Sequence, residues 1–315
     1  MFPTGIIDLH CDTLTRDMWA SQPPACGPLV NPAYHIALGK MPRNLRWVQC
    51  FAIFVPDNYR GQDAIDFFDR YRAVFDRQMV AHGDKVSPCR SFSDMEQALE
   101  AGKFAAVLTV EGGAALAGQP ERAQVLRDAG VRMLTLTWNG PNELGSGHDS
   151  SAGLTACGRE AVAELERCGV LVDVSHLNDR GFEDLLSVAK KPFVASHSNA
   201  RSVCGHRRNL PDAFIREITD RGGLIGLNYS KDFLSDSGRG NLDDLYRHVC
   251  RFLELDAGAC LALGSDFDGT DIHPDLDSVE KSLSIYGYLT QHGIPADTAD
   301  GILFGNAWRF FKAWL

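Results

Sequence analysis

The chain lacks several features that would place it in a class at once. Its 315 residues contain no unbroken apolar run of the roughly 18 residues that a membrane-spanning helix needs. Nine cysteines are present, but they are scattered, odd in number and without a CxxC pair. That pattern argues against a zinc ribbon, a thioredoxin-like redox motif or a disulfide framework. It suits small buried hydrophobes in a reducing compartment. Positive charge is scarce, with 31 Lys and Arg against 41 Asp and Glu and a net charge of −10. Such a surface repels phosphates, so nucleic acid is not an expected partner. One compact basic cluster, His206, Arg207 and Arg208, is too short to track a phosphate backbone. The opening "MFPTGIIDLH" has neither a basic nor an apolar leader region. A cytoplasmic protein without a membrane span is the expectation.

The rest of the composition is ordinary, at 44% hydrophobic and 23% charged. Length alone allows two domains, but α/β barrels commonly reach this size as one. Eight short apolar runs recur along the chain: "GIIDL", "VQCFAIFV", "AAVLTV", "RMLTLT", "VLVDV", "FVAS", "LIGLN" and "CLALGS". Most are continuous rather than alternating, as parallel strands covered on both faces should be. Between them lie helical patterns. "SDMEQALEAG" opens with Ser93 three residues before Glu96, and "DSVEKSLSIYGYL" with Asp277 three before Glu280, both at capping-box spacing. "REAVAELERCG" closes on Gly169, and Pro211 precedes "DAFIREITDRGG". Eight βα units in register predict a (β/α)₈ TIM-type barrel as a single domain over residues 1–315.

Polar residues sit where these strands should end. His10 and Asp12 close "IIDLHCD", Glu111 closes "VLTVEGG", His176 closes "VLVDVSH" and His197 closes "PFVASHS". Residues i and i+2 of a strand share a face, so His10 and Asp12 can offer one ion a nitrogen and an oxygen. Cys11 between them should point away and pack. A carboxylate such as Glu111 at the end of an apolar strand needs a partner, because burying it alone is costly. The glycines after it allow close backbone approach. Any one of these residues has an ordinary structural explanation as a salt bridge or a satisfied core histidine. Five at the same rim of a barrel match the donors of a two-zinc hydrolytic centre. Asp266, in "LALGSDFDG", ends the last strand beside the first and is the leading acid/base candidate. Asp268 ranks second, on the same face. Two Gly- and Pro-bearing stretches, residues 13–44 and 138–153, leave the same barrel end and should build its active-site loops.

In this order, the H-x-D near the start, "EGG", "GLT..GRE...E....G.L.DVSH", "SHSNARSVC..RRN.PD" and "GSDFDG" resemble the membrane (renal) dipeptidase family of zinc metallopeptidases, within the amidohydrolase-type barrels. The resemblance covers nearly the whole chain. It implies that His10 and Asp12 hold one zinc ion, that His176 and His197 hold the other, and that Glu111 bridges them. It also implies that Arg208 grips the substrate's terminal carboxylate and that Asp266 handles the proton. Small dipeptides are then the substrates, and a homodimer is the family's habit. One departure stands out. Trp138 occupies the position where the family carries a histidine that contacts the scissile carbonyl oxygen. An indole donates through its N–H but carries no charge. Asn139, Asn142 and His148 are the replacements at hand. The departure also leaves open a related amidohydrolase acting on a non-peptide amide or lactone, and a catalytically silent metal-binding barrel is the remaining alternative.

Overall fold

A computed structural model describes residues 3–18, 27–42 and 45–315. Nine strands occur: β1 (Ile6–Asp8), β2 (Trp47–Phe54), β3 (Val86–Cys89), β4 (Phe104–Glu111), β5 (Met133–Thr135), β6 (Leu171–Asp173), β7 (Val194–Ala195), β8 (Leu224–Leu227) and β9 (Leu261–Leu263). Every pairing is parallel. Eight of them close a ring in the order β1, β2, β4, β5, β6, β7, β8, β9 and back to β1. This is the (β/α)₈ barrel that the apolar runs predict, with helices between the strands.

The additional strand, β3, was not among the eight predicted. It pairs only with the first half of β4, from Val86 opposite Phe104 to Cys89 opposite Val107. The second half of the same edge is taken by β5. Pro88 lacks an N–H and the middle of β3 is not buried, so the segment carries neither a continuous apolar run nor a full ladder.

Strand alternation divides the core in two. Ile6, Trp47, Ala106 and Leu108 pack outward under the helices. Ile7, Val48, Ala105, Val107, Met133, Leu171, Val194 and Leu224 fill the barrel interior. Phe304, Phe310 and Phe311, in and next to the last helix (Asn306–Trp314), join that inner cluster. They close the end where the strands begin, and Arg46, just before β2, lies over the rings of Phe304 and Trp308. Access to the interior is therefore left to the opposite end.

Helix boundaries shift slightly from the predicted caps. Ser91, not Ser93, caps the helix Phe92–Glu100 by accepting from the Asp94 N–H, while Ser93 lies inside it and accepts from Gln97. Ser278, not Asp277, caps the helix Val279–Gln291. In each case the cap goes to the residue with extended backbone, which the spacing rule does not specify. Gly169 ends the helix Ala156–Cys168 with φ of 72°, and Pro211 precedes the helix Asp212–Asp220, both as expected. Eight of the nine cysteines are free, and Cys26 lies outside the described residues. Cys11 is buried in the outer core, turned from the site. Residues 19–26 and 43–44 of the first long loop also lie outside the described residues.

Candidate metal centre

Short strands deliver the polar side chains. β1 ends at Asp8, yet His10 and Asp12 continue along the same edge because the Asp12 N–H donates to the Phe267 carbonyl and the Ala52 N–H donates to the Cys11 carbonyl. Glu111 is the last residue of β4. His176 lies three residues past β6 with φ of 70°, and Asp266 three past β9 with φ of 62°. Left-handed backbone at non-glycine residues is costly and concentrates at functional sites. Here it turns both side chains back over the barrel mouth.

The structure brings His10, Asp12, Glu111, His176, His197 and Asp266 together. His10 Nε2 lies 3.4 Å from Asp12 Oδ2, 3.5 Å from Glu111 Oε2 and 4.0 Å from Asp266 Oδ1. Glu111 Oε1 lies 2.7 Å from His176 Nε2 and 3.6 Å from His197 Nε2. The two halves of the site thus meet at the two oxygens of one carboxylate.

Buried partners behind the site set the tautomers. His176 Nδ1 lies 2.9 Å from Asn139 Oδ1, an acceptor, so Nδ1 carries the proton. Ser196 donates its hydroxyl to Asp173 Oδ2, which makes its oxygen the acceptor for His197 Nδ1–H at 2.8 Å. Both Nε2 atoms are then bare lone pairs, and they face each other at 2.9 Å. Such an approach is repulsive unless a cation lies between them. Asp173 is itself satisfied by Thr135, Ser175 and Ser196. Asp8 plays the same part under the other half, accepting from Gln49 and Ser265. Asp8, Asp173, Ser196 and Asn228 were not singled out from the sequence. The signal for the first two was available: each lies on a strand, two or three residues before a candidate ligand.

Electrostatics point the same way. Burial and the neighbouring Glu111 charge push Asp12 up to about 8. Burial also raises Asp266, with Glu111 adding to it. His176 is held down at about 3 by burial and by the Arg208 charge, and His197 well below its usual range by burial and by His10. Burial opposes charge on Glu111 too, but His10 and His176 beside it bring it well below the usual carboxylate range. His10 Nε2 and Asp12 Oδ1 are buried without a hydrogen-bond partner. Burial opposes charge on His10, but the Asp12 and Glu111 carboxylates raise it well above its usual value. Three carboxylates packed with three imidazoles, in a space that leaves donor atoms unpaired, are the donor set of divalent cations.

The cavity above these residues measures about 500 Å³ and is lined in part by Thr15, Arg16, Phe54, Trp138, His148 and Phe233. Both long loops contribute to it. The second is no loose linker: Asn178 Nδ2 donates to the carbonyls of Gly147, Ser150 and Ala152. Asp268 also reaches the cavity, but its carboxylate is consumed by Thr13, Arg16 and the N–H groups of His35 and Ile36. The second acid/base candidate therefore serves the loop rather than the chemistry. Arg208 stands close behind the cavity, 4% exposed, with one guanidinium nitrogen donating to the His197 carbonyl and Nε unpartnered.

Residues 2–314 match the sequence profile of the membrane dipeptidase family, peptidase family M19. The chain belongs to that family. It is 32% identical over 263 residues to an uncharacterised Klebsiella pneumoniae protein encoded in the pqqA 5′ region, covering 79% of this chain and 97% of that one. A crystal structure described as dipeptidase AC, a metallopeptidase of family M19, superposes with a TM-score of 0.90 at 25% identity over 99% of each chain. A metallopeptidase from Rhodobacter sphaeroides, liganded with a phosphinate mimic of the dipeptide L-Ala-D-Ala, superposes with a TM-score of 0.89 at 23% identity over 99% of this chain and 100% of that one. As a family member this chain is a metal-dependent hydrolase, and family membership supports a metallo-dipeptidase activity on small peptides. Among the described residues, no helix is long and apolar enough to cross a membrane.

Proposed function

We propose that this metallopeptidase is a dizinc dipeptidase that cleaves dipeptides bearing a free C-terminal carboxylate. One observation carries the reading: His176 and His197 present unprotonated Nε2 atoms to each other at 2.9 Å, beside a Glu111 oxygen. Together they suit one ion, while His10 and Asp12 suit the second, and the two oxygens of Glu111 face both halves. Nitrogen and oxygen donors in this number favour zinc. The chemistry such ions supply when bound is polarisation of the scissile carbonyl and a nucleophilic water at neutral pH.

The protein's own groups do the rest. Asn228 Nδ2 donates to Asp266 Oδ2 at 3.0 Å, fixing the carboxyl and leaving Oδ1 toward His10. A carboxyl whose affinity for a proton is raised by burial can hold that proton and pass it to the departing amine. Among the described residues Arg208 makes no ion pair, although it is buried. A buried cation without a counter-ion is costly, and a substrate carboxylate would complete it with two parallel hydrogen bonds. The cavity volume suits a ligand of dipeptide size.

The test is metal analysis of the purified protein together with turnover of a panel of L-L and L-D dipeptides, their C-terminal amides, and a simple lactone. The Rhodobacter complex marks L-D dipeptides as a class to include. Two zinc ions per chain and activity confined to free carboxylates support the reading. Equal activity on the amides, or on the lactone, favours the broader amidohydrolase that Trp138 suggests.

A further inference from the structure

Hydrolysis of an amide builds negative charge on the carbonyl oxygen, and a hydrogen-bond donor aimed at it accelerates the step strongly. Resting on the peptidase reading above, we propose that His148 is a catalytic residue, donating a hydrogen bond from its imidazole to that developing oxyanion.

Most other polar groups around the cavity are held by a neighbour at one end or both. Asn142 holds its own loop, donating to the Leu136 carbonyl and accepting from the N–H groups of Leu144 and Gly145. Asn139 is held by its Oδ1, which accepts from His176 Nδ1, and its Nδ2 is the rival donor. Arg16 is engaged by Asp268, and the Thr270 hydroxyl by Ser230. His206 Nδ1 accepts from the Arg208 N–H, and its ring packs on Phe233. Trp138 is turned edge-on against Phe54, ring centroids 4.8 Å apart.

His148 differs in being tied at neither ring nitrogen. Its Nδ1 has no partner, and its Nε2 lies 3.6 Å from Asp149 Oδ1, beyond hydrogen-bond range. The ring lies nearly parallel to His176, 27° between planes with centroids 6.3 Å apart. The cationic side chains of Arg208 and Arg207 act on it, with the Asp149 carboxylate opposing them. Burial, then the Arg208 charge, lowers its affinity for a proton to about 4. The neutral ring keeps one N–H to give and gains none that would compete for the site's carboxylates.

The placement is built into the backbone. A Cβ at Gly147 would lie 1.7 Å from the Trp138 carbonyl oxygen, so only glycine lets the loop fold back to where the chain leaves β5. On either side of His148, the Gly147 N–H donates to Gly140 and the Asp149 N–H to Asn139. Gly147 also bridges to Leu177, the residue after His176, and Arg207 donates to the His148 carbonyl at 2.8 Å. The ring is thus tied to the same segments that carry Asn139 and His176.

The experiment compares zinc-loaded wild type, His148→Ala, His148→Gln and Trp138→Phe in three readouts: dipeptide kinetics, metal content, and calorimetric affinity for a phosphinate pseudodipeptide, whose tetrahedral oxygens mimic the oxyanion. In His148→Ala, kcat and phosphinate affinity both fall about 100-fold, while KM and metal content stay near wild type. His148→Gln, which keeps an N–H donor, recovers part of each, and Trp138→Phe keeps the affinity. Wild-type kcat and phosphinate affinity in His148→Ala overturn the assignment and leave the dipeptidase reading standing, as does a loss confined to Trp138→Phe. A wild type inert on every dipeptide that still binds the phosphinate about 100-fold more tightly than His148→Ala does sinks the dipeptidase reading and keeps the role of His148.

Discussion

His35 and Asp268 hold each other in both directions: the His35 N–H donates to Asp268 Oδ1 at 2.8 Å, and the Asp268 N–H donates to His35 Nδ1 at 2.9 Å. With Thr13 and Arg16 on the same carboxylate, this reciprocal pair fastens the first long loop to the turn after β9. Asp268→Ala removes the acceptor of several buried donors. It should lower unfolding stability by on the order of 3 kcal/mol and raise KM more than it lowers kcat. Urea unfolding and steady-state kinetics check it; unchanged stability would remove the clasp role.

His176→Ala deletes one of the two facing lone pairs. Turnover should fall below detection, and bound zinc should drop towards one ion per chain in the proposed two-ion site. Metal analysis after dialysis reads the second effect independently of the first. A variant with full zinc and full activity would end the metal-site assignment.

Arg208→Met keeps the apolar stem beside Phe233 and removes the buried guanidinium. KM for dipeptides should rise by roughly 100-fold, as expected for loss of a charge-assisted bidentate contact. Metal content should not move. Kinetics on free dipeptides against their amides locate the effect, which should vanish on the amides.

His248 supplies a pH signal away from the metal centre. It is fully buried, its Nδ1 accepts from the Ala200 N–H and its Nε2 donates to the Leu234 carbonyl, a pattern only the neutral ring can make. Burial lowers it from 6.5 to about 4. The unfolded chain takes up the proton first as pH falls, so this contribution is complete above about pH 6.5 and is lost down to about pH 4, by on the order of 3 kcal/mol. Denaturation of wild type and His248→Gln across that window should show a shallower pH dependence in the variant. Parallel curves would contradict it.

Apolar runs, turn residues and the strand-end positions of His10, Glu111, His176 and His197 are local patterns, so the barrel and most of its polar rim could be read from the amino-acid order alone. The backbone period is short-range physics, and each run carries it without its neighbours. Some relations could not be read that way. The cap at Ser91 and the half-paired β3 depend on which backbone groups find partners across the fold. The division of labour between Asp266 and Asp268 does too, because left-handed turns after β9 send one carboxylate toward His10 and the other into the first loop. The placement of His148 depends on a contact between Gly147 and the Trp138 carbonyl. Sequence spacing set which side chains arrive at the barrel mouth. Three-dimensional packing decided which of their polar atoms are already satisfied and which are left free for a metal or a substrate.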